Sequence, residues 1–101
     1  MSHTDEITWQ DTADVAALGL EMEHLLQSEA FQAGLTMAKA RIYADWLSAT
    51  ETSVREMLHA EQKALERLIE AFSHINGEGM IAREAIKRRR EAEETALSQP
   101  L

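Results

Sequence analysis

The chain has no cysteine, one proline, four glycines and five aromatic residues among its 101 positions. Without cysteine there is no disulfide scaffold, no thiolate nucleophile and no thiolate-ligated zinc. The single proline and few glycines exclude a collagen-like or low-complexity chain. No apolar run approaches the roughly 20 residues that a membrane span needs. The acidic start, Asp5 and Glu6, lacks the basic flank of a secretory signal, so the expectation is a soluble, non-exported protein with no membrane partner. Lys and Arg are absent before Lys39.

What the chain does have is 45% hydrophobic residues, 28% charged residues and a formal net charge of −8. That mixture folds, and its length suits one domain and not two independent cores. The net charge argues against binding nucleic acid by bulk attraction, because a phosphate backbone repels it. The distribution is more telling than the total. Asp5, Glu6, Asp11, Asp14, Glu21, Glu23 and Glu29 make the first third acidic, whereas Lys87, Arg88, Arg89 and Arg90 form one basic run near the other end. Opposite local fields of this kind suit a head-to-tail contact between copies, with two unrelated solvated faces as the alternative.

Apolar periodicity is helical throughout, and no segment alternates with the period of a strand. Residues 1–10 show no sustained period and read as an arm that docks through Trp9; residues 11–97 read as one helical domain and residues 98–101 as a tail. A first helix carries Val15, Leu18, Met22 and Leu25 as one stripe, with Gly19 placed to allow a close helix crossing. Ser28 offers an N-cap for a second helix through Phe31, Leu35, Ala38, Ile42 and Trp46. Ser53 and Glu56 have capping-box spacing and start a third helix. Its stripe of Val54, Leu58, Glu61, Leu65, Leu68, Phe72 and Ile75 steps by four and three like a coiled-coil seam. Asn76-Gly77 reads as its C-cap, and a fourth helix is expected from about Met80 to Leu97.

The short link at residues 49–52 makes the second and third helices an antiparallel hairpin, about 28–75. The expected fold is therefore all-α: this hairpin with one N-terminal and one C-terminal helix. Because a hairpin hides only one side of each helix, the first helix or a second copy must cover the rest, and a homo-oligomer is expected.

Candidate chemistry is sparse. Glu21 with His24, and Glu56 with His59, have the spacing found in carboxylate-bridged metal bundles. Placing Leu58 and Leu65 on the seam turns the second pair to solvent, so no metal or other cofactor is expected. Glu61 on the seam needs a partner or a route to water, and Arg41, equally far from the turn, is the natural one. The basic run 87–90 could grip an acidic surface or phosphate, although Glu84 and Glu93 stand at i,i+4 spacing to Arg88 and Arg89. No serine, histidine and acid form a nucleophile arrangement, and Gly77-Glu78-Gly79 follows a helix and not a strand, so no catalytic residue is assigned. The residues expected to carry contacts are Trp9, Phe31, Leu35, Ile42, Trp46, Leu58, Glu61, Leu65, Leu68, Phe72, Lys87, Arg88, Arg89 and Arg90.

The segments Leu25-Leu26-Gln27-Ser28-Glu29-Ala30-Phe31-Gln32, Arg55-Glu56-Met57-Leu58 and Lys63-Ala64-Leu65-Glu66-Arg67-Leu68, with Trp46 between and Gly77 after them, carry a resemblance. Over about residues 20 to 82 the chain resembles small uncharacterised helical proteins encoded near the packaging and head genes of tailed phages and prophages. The acidic residues 1–14 and the basic tail after Arg83 lie outside that pattern. The resemblance implies a non-enzymatic part in virion head assembly, located in the host cytoplasm or the virion, with other assembly proteins or a host protein as partners. Two further readings stand beside it: a DNA-packaging oligomer touching DNA through Arg88 to Arg90, and a small acidic inhibitor of a host nucleic-acid-binding protein.

Overall fold

In the computed structural model, which describes residues 3–98 and the side chains of residues 10–98, the protein is all-α. It has three helices: α1 His3–Gln27, α2 Glu29–Ser48 and α3 Thr52–Ser98. They form two compact units. One joins α1 up to Glu23 with α3 from His74; the other, His24–Ser73, holds the end of α1, all of α2 and the first half of α3.

Local capping explains the breaks between helices. Ser28 has extended backbone angles (φ −71°, ψ 140°), and its Oγ accepts from the Phe31 N–H at 3.0 Å. This is the expected N-cap of α2, and it satisfies one of the amides that a helix start leaves without a partner. Gln32 reaches back across the break and donates from Nε2 to the Leu26 carbonyl at 2.6 Å, serving the exposed C-terminal end of α1. At the other end of α2, the Ala49 N–H is shared between the Asp45 and Trp46 carbonyls, at 3.0 and 3.3 Å.

Within the second unit α2 and α3 form the expected antiparallel hairpin. Phe31 lies against Phe72, ring centroids 6.0 Å apart and planes tilted by 51°, and near the turn Trp46 lies against Arg55. Leu58 is the one large side chain buried among the described residues, at 4% exposure. Phe31, Leu35, Ala38 and Ile42 of α2 and Val54, Leu65, Ile69 and Phe72 of α3 are half-buried.

Within the first unit α1 and α3 also run antiparallel, since Gly19 lies at Gly79 while Asp11, Thr12 and Val15 share a groove with Ala82 and Ala85. The two glycines touch backbone to backbone: a methyl group on Gly19 would overlap the Gly79 Cα and come within 3.2 Å of the Ile75 carbonyl. Ala16 and Ala82, each three residues from its glycine, are buried on the same side of the crossing. Side chains tilt toward the N-terminus of their helix, so Glu23 and Arg83, each one turn beyond its glycine, converge and pair at 3.6 Å.

Several sequence expectations are corrected here. The helix begins at His3, across the segment read as an arm; the Trp9 side chain lies outside the described residues. Ser98 ends α3, and residues 99–101 of the tail lie outside them too. Asn76-Gly77 does not end a helix: α3 runs unbroken to Ser98, and no described glycine has positive φ. Gly79 is held in helical conformation because its missing side chain, and not its backbone freedom, is what the crossing uses. The third helix starts at Thr52, with the Glu51 carbonyl accepting from Arg55 N–H at 3.2 Å, so Ser53 lies inside the helix and not at its cap. The first helix packs through Ala16 and Gly19; Val15 and Leu18, on the stripe expected to be buried, are 39% and 51% exposed.

The glycines yield a paired prediction. Gly19→Ala or Gly79→Ala forces the helices apart and is expected to cost about 1–3 kcal/mol despite better helix propensity. Gly34 and Gly77 have nothing within 4 Å of an added methyl group, so alanine at either is expected to stabilise by about 0.5–1 kcal/mol. Urea or thermal unfolding of the four variants measures both signs.

Candidate interaction surfaces

The seam of α3 shifts relative to the heptad reading. After Leu58 it passes through Gln62, Leu65, Ile69 and Phe72, all half-buried, while Glu61 is exposed and Leu68 is 49% exposed. A heptad repeat assumes 3.5 residues per turn, whereas a straight α-helix has 3.6 and drifts by about 20° per heptad. At about 100° per residue, Gln62 stands about 40° and Leu65 and Ile69 about 20° around the helix from Leu58, whereas Glu61 stands about 60° and Leu68 about 80° away. Arg41 is exposed as well, and no ion pair joins it to Glu61 among the described residues, so the expected register-setting pair is not formed. On the polar side of the same helix, the Glu66 carboxyl is held below its usual range by the hydrogen bond from Gln62 Nε2 at 3.3 Å and then by the Lys63 ammonium.

The other expected contact residues fall into two groups. Phe31, Leu35, Ile42, Leu58, Leu65 and Phe72 are brought together in the hairpin, with Trp46 at its turn. Lys87 to Arg90 are exposed on α3, where Arg88 Nε meets Glu84 and Arg89 Nε meets Glu93, each at 3.2 Å. These are the i,i+4 pairs that the spacing indicates. Glu21, His24, Glu56 and His59 are all exposed. No group of three or more His, Asp or Glu among the described residues is placed to hold a metal ion. His74 Nε2 sits 3.4 Å from Glu78. No described helix is long and apolar enough to cross a membrane.

Three features escaped the periodicity reading. The first is the hairpin turn, where Arg55 stacks 5.2 Å over the Trp46 ring and donates from Nε to the Ala49 carbonyl at 3.0 Å. One guanidinium thereby covers an aromatic face and caps the end of α2.

The second is the outer face of α2. Its inner stripe was legible, but Met37, Tyr43 and Leu47 face outward at 62–64% exposure, among Ala33, Ala40 and Ala44. α2 thus has apolar stripes on two opposite sides, with Gln32, Thr36 and Lys39 along one flank between them and Arg41 and Asp45 along the other, and none of its residues is buried. A second apolar stripe normally meets a second partner. Between Glu29 and Asp45 its charges are Lys39 and Arg41, without an acid.

The third is a groove of about 340 Å³ on the first unit. Val15, Ala82, Ala85 and Ile81, which is 70% exposed, give it apolar walls. Its charged lining is acidic, Asp11 from α1 and Glu78 from α3. The only signal for it in the sequence was the i,i+4 spacing of Ile81 and Ala85, a pair too short to stand out.

Comparison with protein-family models, with curated proteins and with solved structures finds no match to the chain.

Removing the Arg55 guanidinium by Arg55→Ala is expected to cost about 1–2 kcal/mol through loss of the carbonyl bond and the ring contact, with Arg55→Lys recovering part. Glu61→Leu is expected to change single-copy stability by no more than about 0.5 kcal/mol, because the side chain is already in water. Chemical denaturation at low protein concentration separates the two.

Proposed function

We propose that this chain is a non-enzymatic structural part that works by helix–helix association, a component or accessory of head assembly in a tailed phage or prophage. The observation that carries the association is α2, which has a second, outward apolar stripe in addition to the one facing α3 and none of its residues buried. Leaving Met37, Tyr43 and Leu47 in water gives up stabilisation of about 25 cal/mol for each Å² of apolar area that burial would remove from water. A face of this composition is ordinarily met by another protein surface. The phage setting rests on the resemblance of residues 20 to 82 alone.

The packing reading fits less well than the assembly reading, since Arg88 and Arg89 each already meet a carboxylate on their own helix, which reduces what they offer to a phosphate. Chemistry on a substrate would need an acid, a base and a nucleophile converging in one cleft. Two grooves are walled mainly by apolar side chains; the hollow beside the hairpin turn gathers Thr52, Glu56 and His59 with Trp46 and Arg55, but no hydrogen bond or ion pair among the described residues joins Thr52, Glu56 and His59 into such a set.

Native mass spectrometry and light scattering of the protein, alone and with the products of its neighbouring genes, test the proposal. A multimer, or an adduct with a head component, is expected. A strict monomer that binds none of those products would overturn it in favour of the acidic-inhibitor reading.

A further inference from the structure

The outer face of α2 and the groove of the first unit have opposite charge. Lys39 and Arg41 are two positions apart, about 200° around the helix, so one stands on each flank of the outward stripe of Met37, Ala40, Tyr43, Ala44 and Leu47. Lys39 lines the groove toward α3 on one side, and Arg41 a shallow hollow with Gly34 and Met37 on the other. The groove on the first unit carries the opposite sign: Val15, Ile81, Ala82 and Ala85 give it apolar walls, and its charged lining is Asp11 from α1 and Glu78 from α3, the latter 3.4 Å from His74 on its own helix. No cation precedes Lys39 in the chain, so nothing on α1 offsets Asp11 or its neighbour Asp14. Both surfaces are apolar and open in a single copy.

We infer that α2 of one copy seats in the α1–α3 groove of the next, apolar stripe to apolar walls, with Lys39 and Arg41 meeting Asp11 and Glu78. The inference rests on the reading that the chain self-associates, and it names the two surfaces that do so. The occupant is a second copy because α2 supplies both things the groove asks for: an apolar face without an interrupting acid, and a cation on each flank. Two alternatives put like charges together. An antiparallel α2–α2 pair about the helix midpoint brings the Lys39 and Arg41 of both copies to one place, and an α1–α1 pair opposes Asp11 and Asp14 with acids. The contact joins two different patches, so it is heterologous and propagates from copy to copy. The basic run 87–90 is not part of it.

Charge exchange tests this. One full-length variant carries Lys39→Glu and Arg41→Glu, the other Asp11→Lys and Glu78→Lys; all four residues are exposed, and circular dichroism checks that helicity is retained. Each variant alone is expected to associate at least about tenfold more weakly than the wild type. Their equimolar mixture is expected to recover assembly, because both junctions between unlike copies are again complementary. Wild-type assembly is also expected to weaken when sodium chloride is raised from about 50 to about 500 mM. If the wild type is strictly monomeric, the self-association reading falls and this inference with it. If the wild type associates but the Asp11/Glu78 variant does so equally well, or the mixture does not recover, α2 meets something other than the groove and this inference alone is overturned.

Discussion

A helix packed against a single neighbour hides one side of its cylinder and leaves the other in water. Each compact unit of this protein is built on that arrangement: α1 against the second half of α3, and α2 against the first half. The sparse core follows directly. Beyond the two crossing glycines, only Ala16, Leu58 and Ala82 are buried among the described residues, while thirteen large apolar residues are exposed. Burial within one copy therefore falls short of what this composition could provide.

The two units solve the packing problem in opposite ways. In the second, large side chains interleave: Phe31 on Phe72, Leu58 beneath α2, and Arg55 closing the turn over Trp46. In the first, small side chains let backbones approach, with Gly19 on Gly79 and Ala16 and Ala82 buried beside them. Close approach buries little area per residue, since alanine and glycine have little to bury. It also leaves Val15, Leu18 and Ile81 exposed, and Val15 and Ile81 border a groove whose charged lining is acidic. A proposed role in assembly draws on both consequences: an open face on α2, and an open groove of opposite charge.

Much of the hairpin was legible because its signals are local. Ser28 caps α2 by a bond three residues long, the inner stripe from Phe31 to Ile42 repeats at helical spacing, and Arg88 and Arg89 meet acids one turn away. The errors share a cause. The stripe of Val15, Leu18, Met22 and Leu25 was the most regular in α1, yet a hydrophobic pattern cannot weigh a contact whose value lies in having no side chain. Asn76-Gly77 looked like a stop because glycine after a helix usually serves its backbone freedom. The heptad reading of α3 kept a strict four-three alternation, whereas the face that packs takes Gln62 and Ile69 in place of Glu61 and Leu68.

The linear order of residues determined that the chain is helical, where α2 begins, that α2 and α3 fold back on each other, and that acidic and basic residues are kept apart along it. These depend on hydrogen bonds and side-chain spacing within a turn or two of helix. The sequence marked Gly19 for a close crossing; the tertiary structure alone decided that its partner is Gly79, that α3 continues past Gly77, and that Asp11 and Glu78 line one groove. Gly19 and Gly79, like Asp11 and Glu78, are sixty or more positions apart, and only the packing of one helix on another supplies the distance between them.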